Sequence, residues 1–403
     1  MPVEIRPILS SLRRHRIPAV LIVLEIALAC AVLGNAVFMI GQRMANIHWS
    51  NGIDEAGISV ITVNGTDPGL AASGIPRDLA ALRGIAGVTA AAAVTSMPLD
   101  QSPALTGFTT TPDGKTTVNT SVYFLGSGGE RALGLHLLQG RFFNADEYAD
   151  SGLKNFQSTS HVLLVTQSDA QRLWPGQGAL GKTLYANGES WTVVGVVSDV
   201  LAQDPKFSGP GGRYSSVFYP SRPDGMMGDY LLRSAPQDRD RVVREAVQAL
   251  GRLEPGAVVE GKTYAQMRTD YFADTSSMVW MLVLVCVVML AVTAFGIVGL
   301  TSFWVGQRRR QIGIRRAVGA TRGHILQYFQ TENFLLGTAG VVLGMVLAFG
   351  INLYLMQRYE VARMPWYYLP VSAVALWLLG QLAVLGPALR AAAVPPVVAT
   401  RSV

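Results

Sequence analysis

Cysteine is nearly absent from this chain: Cys30 and Cys286 are the only two among 403 residues. Both fall in long apolar runs, so the polar stretch between those runs carries no disulfide and must be held by packing alone. Histidine is scarce too. His15, His48, His136, His161 and His324 are scattered, and neither a zinc-ligand spacing nor a histidine-activated nucleophile can be drawn from them. The acidic run NADEYAD (144–150) lacks the EF-hand pattern and reads as a solvated turn. Charged residues make up 15% of the chain against 50% hydrophobic, which excludes an ordinary soluble protein of this size. No catalytic residue, metal ligand or cofactor site emerges.

What the chain does have is long apolar runs. Residues 17–40, 278–303, 334–355 and 367–389 each reach the roughly 20 residues that a helix needs to cross a bilayer. Basic residues orient them. Arg6, Arg13, Arg14 and Arg16 precede the first run, while Arg308, Arg309, Arg310, Arg315, Arg316 and Arg322 fill the link between the second and third, which has no acid before Glu332. Both belong on the cytoplasmic side. The link between the third and fourth runs holds Arg358, Glu360 and Arg363 and ends in Trp366, Tyr367 and Tyr368, which suits an outer interface. The net charge of +6 then reflects topology, and with no basic run in the outer stretch a nucleic-acid partner is not expected.

The organisation this predicts is a cytoplasmic segment 1–16, a first span 17–40, an outer domain 41–275, a second span 276–304, a cytoplasmic segment 305–330, a third span 331–355, a short outer loop 356–366, a fourth span 367–389 and a cytoplasmic tail 390–403. The stretch ALAC (27–30) faintly matches a lipoprotein cleavage box, but cutting there would leave an apolar start. Glu25 inside the first span costs roughly 3 kcal/mol, which about a dozen large apolar neighbours outweigh; with no second buried acid or His to pass a proton to, a packing or interfacial role is expected for it over a proton relay. Gly340 and Gly344 form a GxxxG pair that favours close helix packing and, less strongly, dimerisation.

The outer domain reads as α+β. A strand at 58–65, a helix at 75–85 and a strand at 88–94 form one βαβ unit; a strand at 229–234, a helix at 237–253 and a strand at 257–264 form a second. They flank a β-rich insertion over about 97–225. In the second helix Val242, Val243, Ala246, Val247 and Leu250 keep helical spacing and predict one face packed on a sheet. Within the insertion, GQGALGKT (176–183) fits the phosphate-loop pattern through Gly176, Gly181, Lys182 and Thr183. Its context is wrong. A true phosphate loop follows a strand and opens a helix, whereas here a strand at 161–166 leads into a short helix with Thr166 or Ser168 as N-cap. After Thr183 comes a hairpin around Asn187-Gly188. The stretch GSGGERALGLHLL from Gly126 loosely matches the signature segment of ABC-type ATPases, yet it sits before the loop instead of after it. ATP binding by this chain is not expected.

At RRRQIGIRRAVGATRGHILQYFQTENFLL (308–336) the sequence resembles the FtsX-like permease domain of MacB-type ABC transporters. LGLHLLQGRFF (133–143), WPGQGALGKTLYANGESWTVVGVVSDV (174–200) and PALRAAAVPPVVATR (387–401) have counterparts there too. The resemblance implies a non-catalytic permease of the bacterial inner membrane, N-in and C-in, that dimerises with itself or a related permease. It further implies that ATP is bound by a cytoplasmic ABC ATPase partner, and that a periplasmic adaptor and outer-membrane channel can join. Since only the short segment before residue 17 precedes the first span, the ATPase is expected on another chain. The residues that would couple to it are Arg309, Gln311, Ile312, Gly313, Arg315, Arg316, Ala317, Gly319 and Ala320. Gln311 departs from the family's usual Glu, which puts in doubt any ion pair that the Glu would make.

Physical chemistry gives this segment two readings. Apolar Ile312, Ile314, Ala317, Val318 and Ile325 among guanidinium groups suit an interfacial helix that offers a rigid, two-pronged surface to acidic grooves. The plainer alternative is positive-inside anchoring. For the whole chain three functions stay open: a transporter subunit working by mechanotransmission, a signalling permease that regulates a cell-envelope enzyme or sensor, and a membrane-anchored binding module.

Overall fold

In a computed structural model of the protein, the described residues are 16–393 except 101–103, 115–116, 150, 152, 155–156, 206–210, 224–226 and 360–362. Arg6, Arg13, Arg14, Glu360 and the tail from 394 lie outside them. In chain order the elements are α1 (Arg16–Ile47), β1 (Ile58–Asn64), α2 (Ala71–Arg83), β2 (Val88–Val94), β3 (Leu105–Phe108), β4 (Val118–Leu125), α3 (Gly129–Leu133), β5 (Leu137–Gly140), α4 (Ala145–Ala149), β6 (Leu153–Lys154), β7 (Gln157–Ser158), β8 (Val162–Thr166), α5 (Gln167–Leu173), β9 (Thr183–Ala186), β10 (Glu189–Val197), β11 (Ser216–Pro220), β12 (Asp229–Ser234), α6 (Arg239–Leu253), β13 (Val258–Thr263), α7 (Tyr264–Gln307), α8 (Arg309–Ala317), α9 (Arg322–Tyr359) and α10 (Tyr368–Ala392). They divide into two compact units, one running from Trp49 to Ala273 and one made of the described residues on either side.

The 49–273 unit is built on one sheet with the strand order β13-β1-β12-β2-β4-β11-β8-β10-β5, to which β3 adds on β4 and β9 on β10. Neither βαβ segment pairs its own two strands. β12 inserts antiparallel between β1 and β2, with Ile61 opposite Tyr230 and Leu231 opposite Ala92, and β1 in turn separates β12 from β13. The two units thus interlock as a split βαβ arrangement. Their helices cover the sheet together: Ile75, Leu79 and Leu82 of α2 share a buried core with Val242, Ala246 and Leu250 of α6 and with Ile61, Ala91 and Leu232 beneath. The i, i+4, i+8 spacing of the α6 residues is what a helix laid on a sheet requires. Gly261 lets it settle, because a Cβ there would lie 2.6 Å from the Val247 side chain.

Farther along the sheet the core becomes aromatic. Trp191 lies edge-on to Phe108 at 6.0 Å, and Phe124 stacks on Tyr219 at 5.5 Å. Here the phosphate-loop pattern resolves. The Gly181 N–H donates to the Val193 carbonyl at 2.8 Å and the Lys182 N–H to Ala179 at 3.1 Å, so these amides are committed to the fold. Thr183 opens β9, which turns back into β10 through Asn187 and Gly188, at φ 48° and 83°. Two positive φ values in a two-residue loop are the mark of a hairpin turn. One local expectation needs correction: Thr166 stands at the N-cap of α5, but its hydroxyl donates to the Tyr214 carbonyl at 2.5 Å instead. Asp199 does the capping, accepting from the Ser168 amide at 2.7 Å and its hydroxyl at 2.5 Å. A carboxylate at a helix N-terminus is favourable wherever it comes from in sequence.

In the second unit α1, α7, α9 and α10 are each long and apolar enough to cross a membrane. The second apolar run belongs to one 44-residue helix, α7, that begins at Tyr264, and the third run to a helix that begins at Arg322. The GxxxG face is taken up inside the chain: a Cβ on Gly340 would stand 2.8 Å from Ile26, and one on Gly344 would stand 2.7 Å from the Ala27 carbonyl. Small residues let α9 and α1 approach closely, as expected of such a motif. Asn35 clips the pair by donating to the Ala348 carbonyl at 3.1 Å. Glu25 is half-buried with its carboxylate against the bare backbone of α7, where a Cβ on Gly296 would collide with it.

Candidate functional site: the arginine-rich helix between the second and third spans

The segment after α7 is short and sharply defined. α8 ends in Gly319 at φ 103°, with the Gly319 N–H donating to the Arg316 carbonyl at 3.2 Å and the Ala320 N–H to Arg315 at 3.0 Å. This pair of bonds is a Schellman cap, which needs a left-handed residue and so selects glycine. Two residues on, the Thr321 hydroxyl accepts the His324 amide at 3.3 Å and caps the start of α9. Gly-Ala-Thr (319–321) therefore stops one helix and starts the next.

The expected coupling residues separate into two groups. Ile312 and Gly313 are buried, Ile312 in a core with Trp304, Val305, Ile325 and Phe329, and these hold α8 against the helical unit. Arg309, Gln311, Arg315, Ala317 and Gly319 are exposed, while Arg316 and Ala320 are partly so. Ile314 and Val318, one turn apart, are 51% and 83% exposed and make an apolar stripe among the arginines. Arg315 lies with its guanidinium 5.0 Å from the Tyr328 ring centroid, which pre-orients it. Gly340 and Gly344 lie elsewhere, at the α1 contact, and Glu25 at α7.

Sequence reasoning missed the strongest electrostatic feature. Arg308, in the bend between α7 and α8, donates from Nη1 to both carboxylate oxygens of Glu332 on α9, at 3.2 Å each. The side chains are 9% and 3% exposed. The guanidinium also lies 5.4 Å from the Trp304 ring centroid, and its Nη2 has no partner among the described residues. The pair ties the root of α8 to the third span. A signal was present: Glu332 is the only acid between Asp274 and Glu360, and an ionisable residue in an apolar helix calls for a partner. Among the described residues no group of three or more His, Cys, Asp or Glu side chains could hold a metal.

Comparison with known proteins matches residues 26–261 to the MacB-like periplasmic core domain and residues 283–396 to the FtsX-like permease C-terminal family. The macrolide export ATP-binding/permease protein MacB of Chromobacterium violaceum is 26% identical over 245 residues, covering 58% of this chain and 36% of that protein. The MacB of Marinobacter nauticus is 29% identical over 223 residues, covering 52% and 32%. The alignments thus span about a third of the length of these MacB proteins, at 36% and 32%. An uncharacterized ABC transporter permease of Bacillus subtilis, YvrN, is 26% identical over 266 residues, covering 61% of this chain and 63% of that one. Among solved structures, the periplasmic region of MacB from Actinobacillus actinomycetemcomitans is similar at 17% identity with a TM-score of 0.37, covering 57% of this chain and 97% of that one. Matched in this order by both families, with four helices able to cross a membrane, the chain belongs to the MacB-type ABC transporter permeases and is a multi-pass membrane protein with a periplasmic core domain.

Proposed function

We propose that the chain is the permease subunit of an ABC transporter that couples ATP hydrolysis by a cytoplasmic ATPase to conformational change in its periplasmic domain, driving export of a periplasmic substrate by mechanotransmission. It sits in the inner membrane with both ends in the cytoplasm and works as a homodimer or with a related permease. A periplasmic adaptor and an outer-membrane channel complete the pathway. The observation that carries this reading is α8: a nine-residue helix, fixed on its inner face by Ile312, that presents Arg309, Ile314 and Arg315 outward, with Val318 exposed at its C-cap. A helix held at both ends and rich in guanidinium donors transmits a push as a rigid lever, which a mere anchor does not require.

The test is Arg315→Glu with Arg316→Glu, in membranes with the cognate ATPase and with a topology reporter after residue 318. Removing a charged contact at a buried interface costs about 2–5 kcal/mol, against under about 1 at an exposed rim. The expected outcome is normal insertion with at least a tenfold loss of stimulated ATP hydrolysis. Full hydrolysis by correctly inserted protein returns these arginines to anchoring and refutes the reading.

A further inference from the structure

The sheet of the 49–273 unit ends in β5 on one side and β13 on the other. Among the described residues β13 pairs with β1 alone, so the backbone groups along its outer side meet no other strand. A free edge is a template for pairing with another chain, and native proteins blunt it with charge, lysine above all. A lone lysine would do so by repelling its own copy. β13 carries something different: Glu260 and Lys262, of opposite sign, stand two positions apart on one face with Gly261 between them, and both are exposed.

The two faces of this strand are distinct. Gly261 lies under α6, where a Cβ would stand 2.6 Å from the Val247 side chain. Glu260 and Lys262 point to the other face, where they line a small cleft with Thr62 of β1 and with Met267 and Asp270 of α7. Lys262 donates to Asp270 at 2.7 Å, but the two side chains are 52% and 57% exposed, so this pair is weak and an ammonium has further donors to offer. Glu260 has no ion pair among the described residues. The strand stops at a capping box: the Thr263 N–H donates to the Gln266 side chain at 2.9 Å and the Gln266 N–H to the Thr263 hydroxyl at 3.2 Å, which fixes where α7 starts.

We propose that β13 pairs antiparallel with β13 of a second copy of this chain, about a two-fold axis between the two copies of Gly261, and so joins the two sheets edge to edge. The proposal rests on the homodimer reading above and names a surface for it. In this register Glu260 stands opposite Lys262 of the second copy, and Lys262 opposite its Glu260. Centring the pair one residue away in either direction sets Glu against Glu or Lys against Lys, so the charges select one register. A two-fold interface must be self-complementary, and this pattern is: a foreign strand would have to bring the same charges in reverse order, whereas the chain's own copy already does. The axis stands normal to the sheet, so the first turns of both α7 helices lie on the same face of the joined sheet, as two chains in one membrane need. The edge is short, six residues, and each cross-strand pair is worth only about 0.2–1 kcal/mol. It therefore closes between chains already held together elsewhere, where the effective concentration is high.

The test uses full-length chains in proteoliposomes, in a background of Cys30→Ala with Cys286→Ala. One chain carries Glu260→Cys and one tag; the other carries Lys262→Cys and a different tag. This mixture keeps one Lys262–Glu260 pair and sets the two cysteines opposite each other, with Cα atoms about 4.5–5.5 Å apart, within reach of a disulfide. The tags co-purify and mild oxidation links them, while chains that all carry Glu260→Cys, or all Lys262→Cys, link about fivefold less. Adding Glu260→Lys to the Lys262→Cys chain sets two lysines face to face and lowers the linked yield about fivefold; adding Lys262→Glu to the other chain restores it. That rescue distinguishes the interchain pair from Lys262–Asp270, which Lys262→Glu only breaks. Co-purification without linking, equal linking in mixed and uniform chains, or a yield that ignores the charge changes overturns the β13 interface and leaves the homodimer reading standing. Tags that do not co-purify overturn both.

Discussion

The two units of the molecule handle charge in opposite ways. In the 49–273 unit the ion pairs reach solvent: Lys262–Asp270 is 52% and 57% exposed, and Arg141–Glu147, Arg241–Glu245 and Arg77–Glu254 each leave at least one partner partly wet. Such pairs are worth about 0–1 kcal/mol each, so the sheet stands on its aromatic and aliphatic core. In the helical unit the ion pair among the described residues is Arg308–Glu332, and it is buried. There the apolar side chains face outward as much as inward, with Trp280 and Phe295 of α7 at 72% and 76% exposed. Apolar burial separates inside from outside in the first unit. It cannot do so where the surroundings are as apolar as the core, and position must be specified by close glycine contacts and a charged clasp.

Breaking the clasp is the largest expected effect. Glu332→Ala leaves the Arg308 guanidinium buried without its carboxylate, at a cost of about 3–5 kcal/mol. The double change Arg308→Met with Glu332→Leu removes both charges and restores much of that stability, because a buried pair and a well-packed apolar pair are often of similar worth. Thermal melting of the purified chain separates the three forms. A Glu332→Ala variant as stable as the parent would mean that the pair contributes nothing, and the contrast between the units would fall.

The next effect is in the other unit and depends on pH. Burial, reinforced by the neighbouring Asp229 carboxylate, pushes Asp100 up to about 7, whereas an unfolded aspartate titrates near about 3.9. Between those values the folded chain holds a proton that the unfolded chain has lost, so stability falls as pH rises through the window. Asp169, held at about 6 mainly by burial despite hydrogen bonds from Ser215 and Thr120, acts in the same direction over a narrower range. Asp100→Asn removes the larger contribution, at most ~4 kcal/mol. Its melting temperature relative to the parent therefore climbs from pH 5 to pH 8. A flat difference would show that the carboxyl is not desolvated in the folded protein.

How much of this was legible in the sequence follows from the range of the forces involved. The strands at 88–94 and 229–234 coincide with β2 and β12, since a short apolar run is a local property. The interlocking of the four strands is not local: nothing in ISVITVN says that DYLLRS will lie between it and VTAAAAV. The Asp199 cap on α5 and the Arg308–Glu332 clasp were missed for the same reason, each joining residues 31 and 24 positions apart. Helix α7 was legible in part: after Tyr264 the sequence already turns helical, into AQMRTDYFADTSSMVWMLVL, and the helix does begin at Tyr264. Its composition changes from polar to apolar near Met278 while its backbone hydrogen bonding continues, so a boundary read from hydropathy falls inside one element. The motif around α8 was legible as a pattern, but its glycine has a plainer cause than recognition.

That cause gives a smaller effect. With Gly319 at φ 103° and no atom within 4 Å of a built Cβ, Gly319→Ala meets no clash and bears only the backbone penalty of a left-handed L-residue, roughly 1–2 kcal/mol. The last turn of α8 frays while the 49–273 unit is unchanged. Limited proteolysis with trypsin, which has Arg315, Arg316 and Arg322 as targets, shows faster cleavage there. An unchanged rate would mean that the cap does not hold the helix end.

The smallest effect is at Lys182, where the sequence most invites a large one. In a working phosphate loop the lysine is the main cation on the nucleotide, and removing it abolishes binding. Here its ammonium contacts the Gln177 side-chain carbonyl and lies 5.5 Å from the Trp174 ring centroid, on the exposed face of the turn into β9. An exposed cation–π contact is worth about 0.5–1 kcal/mol, and the hydrogen bond competes with water. Lys182→Ala therefore lowers stability by under about 1 kcal/mol and leaves nucleotide binding by the assembled complex as it was. The measurement is titration of a fluorescent ATP analogue into parent and variant, alone and with the ATPase. The chain alone binds neither well, and the complex binds equally in both. Tight binding by the chain alone that disappears with Lys182 would make the loop a nucleotide site after all, and the committed amides of Gly181 and Lys182 would then have to be released from Val193 and Ala179 to reach the phosphates.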